Sequence, residues 1–171
     1  MDLSHDPIDK ILEALQERAK ELNCLYQVDE LIAKADTTPD DVFRGLLHVI
    51  PSGWQHTAVC QARIALEDTV FELPEFRETP WLQTAQIAVQ GRMVGKLEVY
   101  YGEAMPRSDE GPFLKEERKL IDTIADRIDW DWLERQPPES DTGLVRHLRL
   151  AEPLSIRVDG RTGRGVIRTR G

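Results

Sequence analysis

A chain of 171 residues, 40% hydrophobic and 31% charged, is long enough for one ordinary globular domain with extensions and has no apolar run of the length that crosses a bilayer. Its formal charge of −9 disfavours general nucleic-acid binding, because phosphate contacts need concentrated lysine and arginine. The opening MDLSHDPID lacks the basic start and apolar stretch of a secretory signal, so the cytoplasm is the expected compartment and Cys24 and Cys60 are expected as reduced thiols.

Residues 7–35 read as one long helix. Ile8, Leu12, Leu15, Ala19, Leu22 and Tyr26 recur at alternating spacings of four and three, and Ser4 or Asp6 with Pro7 supplies the start signal. That seam is of heptad type, the pattern by which helices pair, so these six residues are the expected dimer interface. A second apolar set, Ile11, Leu25, Val28 and Ile32, widens the face toward the C-terminal half, where the helix is expected to dock on a domain, with Cys24, Leu25 and Val28 meeting a sheet. Cys24 has Lys20, Glu21, Gln27 and Val28 as its nearest helical neighbours, too mixed a set to hold a thiolate, so packing explains it best.

Thr38 as N-cap and Pro39 at the first helical position open a second helix that closes at Pro51, with Val42, Leu46, Val49 and Ile50 as its apolar face. Two hairpins follow. A two-residue turn at Glu67-Asp68 sets Leu66 opposite Thr69, Ile64 opposite Phe71 and Ala62 opposite Leu73, which brings the apolar residues to one face. In the second hairpin a three-residue turn, Gln90 to Arg92, pairs Val89 with Met93, Ile87 with Gly95 and Ala85 with Leu97. The opposite face then carries Gln61, Arg63, Thr84, Gln86, Lys96, Glu98 and Tyr100, a solvated pattern with no enclosed cavity.

The last helix is expected from near Pro112, with Gly111 as N-cap, to about Glu134, burying Phe113, Leu120, Ile121, Ile124, Ile128 and Trp132. QPPESDTG marks a boundary near Arg135, so the domain is expected over 1–135 and an arginine-rich tail over 136–171. The tail holds seven arginines and four carboxylates, a local surplus of three positive charges that leaves −12 on the residues before it. It contains one apolar cluster, LVRHLRL, and one hairpin signal, IRVDGRTGRGVIR.

Motifs for chemistry are sparse. The histidines His5, His48, His56 and His147 sit in separate elements with no HExxH or GxSxG, and the cysteines form no CxxC, so no catalytic residue, metal site or cofactor is expected. GRTGRG lacks the helix and lysine of a phosphate loop. The acidic runs DDV, KEERK and DRIDWDW read as solvated helix faces, and Trp54, Trp81, Trp130 and Trp132 as seals on a small core.

The segments ERAKELNCLYQVDELI, IPSGWQH, TPWLQTAQIAVQGRMVGKLEVYY and GPFLKEERKLIDTIADRI resemble the compact GAF-like sensor domain of bacterial sensor histidine kinases and of modules beside phosphoenolpyruvate synthase-like proteins, over roughly residues 15–134. The resemblance implies an α+β fold. It would have an antiparallel sheet of four to five strands, with the first and last helices packed together on one face and often paired in a dimer. It also implies a non-catalytic regulatory role, coupled to a partner kinase or phosphotransfer protein. No phosphoacceptor box or ATP-binding segment follows in this sequence, which suits a stand-alone sensor or a piece of a longer protein. Only PEFRETP separates the hairpins, where ligand-holding members of the family carry a helical insertion. The candidate ligand contacts are therefore few: Arg63 and Lys96 as anion anchors, with Gln86 and Tyr100 beside them. Two other readings stand beside it, a cysteine-dependent reductase of the same fold and an adaptor whose basic tail docks an acidic partner.

Overall fold

The computed structural model describes residues 6–34, 36–67 and 69–128. Helix α1 (Pro7–Ala33) starts where Asp6 accepts a hydrogen bond from the Ile8 amide at 3.3 Å, so of the two candidate caps it is Asp6 that serves. Helix α2 (Pro39–Val49) is capped by Thr38, whose hydroxyl accepts from the Asp41 amide, and Asp40 and Asp41 place negative charge at its positive end. Pro51 ends it in a 3₁₀ turn, Ile50–Gly53, and a second such turn, Thr57–Val59, leads into the sheet.

Four antiparallel strands follow, β1 (Cys60–Leu66), β2 (Thr69–Glu72), β3 (Leu82–Val89) and β4 (Arg92–Tyr101), in the order β2-β1-β4-β3. The chain is therefore α+β, as expected. Leu66 pairs with Thr69 and Ile64 with Phe71, the register that apolar parity demands.

The second hairpin departs from expectation at its tip. Ala85 pairs with Leu97 and Ile87 with Gly95, as parity requires, but Val89 pairs with Arg92 and Ala88 with Met93. The turn is the two residues Gln90 and Gly91, both at positive φ (49° and 77°), the geometry whose twist matches that of the strands it joins. A bulge opposite Ile87 and Ala88 absorbs one residue of β4, so that Val94 enters the core while Met93 faces solvent. Parity is thus restored by the bulge and not by a longer turn.

The inner face of the sheet, including Ile64, Leu66, Ile87, Leu97, Val99 and Tyr101, packs against α2 and against α3 (Lys115–Arg127). Phe43 of α2 stacks on Phe71 at 4.6 Å, and Tyr101 stacks on Phe113 at 4.7 Å. Helix α1 does not meet the sheet in the way expected. It lies on α2, α3 and the Ile50–Gly53 turn as a further layer, and an Arg127–Asp29 ion pair ties its last turns to α3. Cys24 points its sulfur at the Val49 and Ile50 carbonyls (3.8 and 3.7 Å) and is buried there beside Gly53, in place of the expected sheet contact.

Helix α3 starts three residues later than Pro112. Gly111, at φ 59°, makes a tight turn that bridges Glu110 to Phe113, and Glu117 caps the helix by accepting from the Leu114 amide at 2.7 Å. It closes at Arg127 with Ile128 as C-cap; the expected continuation to Glu134 with Trp132, and the tail over 136–171, lie outside the described residues.

Candidate functional site

Three of the four candidate ligand contacts converge, and they converge on a residue that was not among them. Glu98 sits on β4 between Lys96 and Tyr100 and opposite Arg63 of β1. Its two oxygens are each taken: Arg63 Nε donates to Oε2 and Lys96 Nζ to Oε1, both at 2.6 Å. The remaining Arg63 donors reach the Tyr100 hydroxyl (2.8 Å) and Glu78 (2.6 Å).

A segment between the hairpins closes this cluster from above. Gln61 holds it through two hydrogen bonds with the Arg77 backbone, and Thr79 donates to the Tyr101 carbonyl at 2.7 Å. Phe76 meets Tyr100 edge-on at 5.1 Å, and the Arg63 guanidinium lies 5.0 Å from the Phe76 ring centre, a cation–π contact. Glu98 and Tyr100 are consequently buried, at 1% and 3% exposure. The outer face is not uniformly wet, as its alternation suggests; the β1–β4 half is roofed by residues 73–81 and only the β3 side is open.

Burial pushes the Glu98 carboxyl up, but hydrogen bonds from Lys96 and Arg63 outweigh it and hold the group below the ordinary glutamate range. Burial, reinforced by the Glu98 charge, raises the Tyr100 phenol. Arg63 is held in its charged form by Glu98 and Glu78 against the cost of burial. With its guanidinium committed to internal carboxylates, Arg63 is a structural cation; Lys96, half exposed, is the one of these two that reaches solvent. Gln86 stands opposite Lys96 on β3, exposed, and lines a shallow depression of about 460 Å³ with Thr84, Leu82, Met93 and Lys96.

A second buried carboxylate was hidden in KEERK. Glu117 is 1% exposed, not a solvated helix face, and accepts from the amides of Gln55 and Leu114 (2.7 Å each) and from the Tyr101 hydroxyl (3.2 Å). Burial dominates these donors and the pKa lies above the ordinary value. The signal available in the sequence was its place three residues inside the helix, where a glutamate turns back on the N-terminus. Beside it, Trp54 is fully buried and donates to Gln83, whose amide reaches Glu110, and Glu110 is gripped by Arg118.

Neither cysteine sits in an activating environment. Burial pushes the Cys24 thiol up to about 11, and burial together with the Glu117 charge raises Cys60 well above its ordinary value. His56 lies edge-on to Tyr101 at 5.3 Å, and His48 is exposed on α2. Among the described residues no group of three or more His, Cys, Asp or Glu could hold a metal ion, and no helix is long and apolar enough to cross a membrane.

The six α1 residues of the expected dimer seam, Ile8, Leu12, Leu15, Ala19, Leu22 and Tyr26, are all exposed, Tyr26 the most of the large ones at 64%. Cys24 and Val28, by contrast, have no exposure. At about 100° per residue, Cys24 lies about 160° around the helix from both Leu22 and Tyr26, so α1 has two opposed apolar faces. The expected single widened face is thus two faces, one docked and one open, with Ile11 on the open side. Under the first turns of α1 runs a groove of about 790 Å³, lined by Ala14, Glu17, Leu114, Glu116 and Lys119 among others.

No protein-family model, curated protein or solved structure matches this chain.

Proposed function

We propose that this domain is a non-catalytic regulatory module of GAF type in cytoplasmic bacterial signal transduction, a homodimer through α1 that couples an input to a partner kinase or phosphotransfer protein. The observation that carries the reading is the second apolar face of α1. A helix that already packs Cys24, Val28, Leu25, Leu31 and Ile32 against its own domain also displays Ile8, Leu12, Leu15, Leu22 and Tyr26 to solvent in one strip. Their alternating spacing is the one that an identical helix can match, knob for hole, which favours a second copy over an unrelated partner.

The same helix connects the strip to the domain. Lys20 donates to the Trp54 and Gln55 carbonyls, Gln55 donates to Glu117, and Glu117 caps α3. A change in how two α1 helices pack would therefore reach the start of α3 through hydrogen-bonded groups, a route by which a two-state helix pair serves as an output. Lys96 and Gln86, on the open side of the sheet, are the residues placed to meet a small charged input.

Sedimentation velocity at low micromolar concentration tests the dimer. The wild type is expected at twice the mass of the chain, and a Leu15→Asp/Leu22→Asp variant at the mass of one chain with unchanged helix content. A monomeric wild type under those conditions overturns the reading.

A further inference from the structure

We infer that the exposed strip of α1 pairs with the same strip of a second copy running in the opposite direction. This rests on the dimer proposed above and fixes which residues meet in it. Ile8, Leu12, Leu15, Ala19, Leu22 and Tyr26 follow one another at spacings of four and three, an order that reads the same from either end about Glu17. The strip can therefore be laid on its copy in two ways. Parallel helices set each residue against itself, and antiparallel helices set Ile8 against Tyr26, Leu12 against Leu22 and Leu15 against Ala19.

Three residues separate the two arrangements. Ala19 is the small member of the strip, and in a parallel pair it would face its own copy, leaving a void between two leucine layers. Reversal sets a leucine of the other copy over each alanine, so that large and small side chains interdigitate. Asp29 follows Tyr26 by three and takes the next place in the strip. A parallel pair would bring the two Asp29 carboxylates face to face, whereas reversal carries each one past the Pro7 start of the other helix, so that like charges do not meet there. Ile11, 59% exposed beside the strip, would flank Gln16 in a parallel pair. In the reversed pair it flanks Leu25, which is partly buried against the core. The one adverse contact is Arg18 near its own copy at the centre, and Glu21 neutralises each of them at 2.8 Å.

The exposed length of α1 points the same way. Pro7 to Gln16 are exposed without exception, a projection of about 15 Å that is too short to hold its helix alone in water. Parallel pairing would give two such projections only each other. Reversal lays each one along Ala19 to Tyr26 of the other copy, the half that Lys20 and Cys24 fix to the domain. The domain lies on the side of α1 away from the strip, so neither copy obstructs the other. The Lys20 contacts with the Trp54 and Gln55 carbonyls then respond to the first turns of the opposite copy, and the signal crosses between chains.

Pulsed dipolar EPR tests the direction, with a nitroxide on Asp9→Cys in one chain and on Glu30→Cys in another. Both positions are exposed and flank the strip. At 1.5 Å per residue, reversal separates the two labels by about 24 Å along the axis for position 9 and about 39 Å for position 30, whereas parallel helices hold both pairs within about 15 Å. Two long distances, the second longer, are the expected result. Two short ones overturn the antiparallel arrangement and leave the dimer reading standing, and a wild type that sediments at the mass of one chain removes both. A label-free check uses Leu12→Glu and Leu22→Lys. Each alone is expected at the mass of one chain, and the two combined at twice that mass, because reversal brings the introduced opposite charges together. A combined chain that stays at the mass of one overturns the proposal.

Discussion

Arg63 of β1 and Glu98 of β4 are directly paired across the sheet, and the Nε–Oε2 distance between them is 2.6 Å. The pair is roofed by residues 73–81 and extended on either side by Lys96 and Glu78, so that every charge in it is matched within the domain. Arg63, which the sequence offers as a ligand anchor, is thereby occupied in holding the connection between the hairpins.

Glu98→Gln is expected to destabilise the domain by on the order of 1–3 kcal/mol, because Arg63 keeps Glu78 and only part of its pairing is lost. The folded pKa of Glu98 is depressed, so its contribution is present above the ordinary glutamate value and lost as pH falls through the folded value. Urea denaturation as a function of pH checks this: the difference between wild type and variant should be largest near neutrality and shrink in acid.

Glu117 has the opposite sign. Burial raises its pKa, so the stability it adds is full below the ordinary glutamate value and declines as pH rises through the folded value. Glu117→Gln, which leaves an amide N–H₂ facing Tyr101 and two backbone donors, is expected to cost on the order of 1–3 kcal/mol in acid and less near neutrality. The two variants measured side by side should show pH slopes of opposite direction; parallel slopes would refute the assignment.

Both thiols should be silent in the native state. With Cys24 pushed up to about 11 and Cys60 also raised, a thiol reagent in mildly alkaline buffer is expected to titrate two groups only after denaturant is added. A rapidly reacting native thiol would favour the reductase reading. Cys24→Ser is expected to cost on the order of 1–3 kcal/mol, since the hydroxyl would be buried where the sulfur now lies beside two distant carbonyls.

Gly95 of β4 sits opposite Leu66 of β1 with no room for a side chain. A methyl group there would run into the Ala65 carbonyl oxygen and stand 2.9 Å from Leu66 Cδ2, and the oxygen belongs to a backbone that cannot swing away. Gly95→Ala is expected to cost about 3 kcal/mol or more, the upper end of overpacking, and to show as loss of a cooperative melt. Gly91→Ala, in open space but at φ 77°, should be milder and confined to backbone strain.

What the sequence settles alone is local. Asp6 and Thr38 ahead of Pro7 and Pro39 start the helices, Pro51 stops the second, and the alternation in CQARIAL, TVFE, LQTAQIAV and KLEVYY sets inward and outward faces and most of the strand register. These follow from neighbours a few residues apart, through capping, fixed φ and a period of two. What only the tertiary structure decides is which of those surfaces another part of the chain covers. Glu98 and Glu117 read as solvated until residues 73–81 and the Trp54–Gln55 segment fold over them, and Met93 and Val94 exchange places because one bulge shifts the parity. The α1 helix shows the division most clearly: its spacing is written in the chain, but that Cys24 meets the Ile50–Gly53 turn and Val28 is buried while Leu22 and Tyr26 face outward is fixed by contacts between segments more than 20 residues apart. Burial is a property of a residue's neighbours in space, and period and spacing reach only its neighbours along the chain.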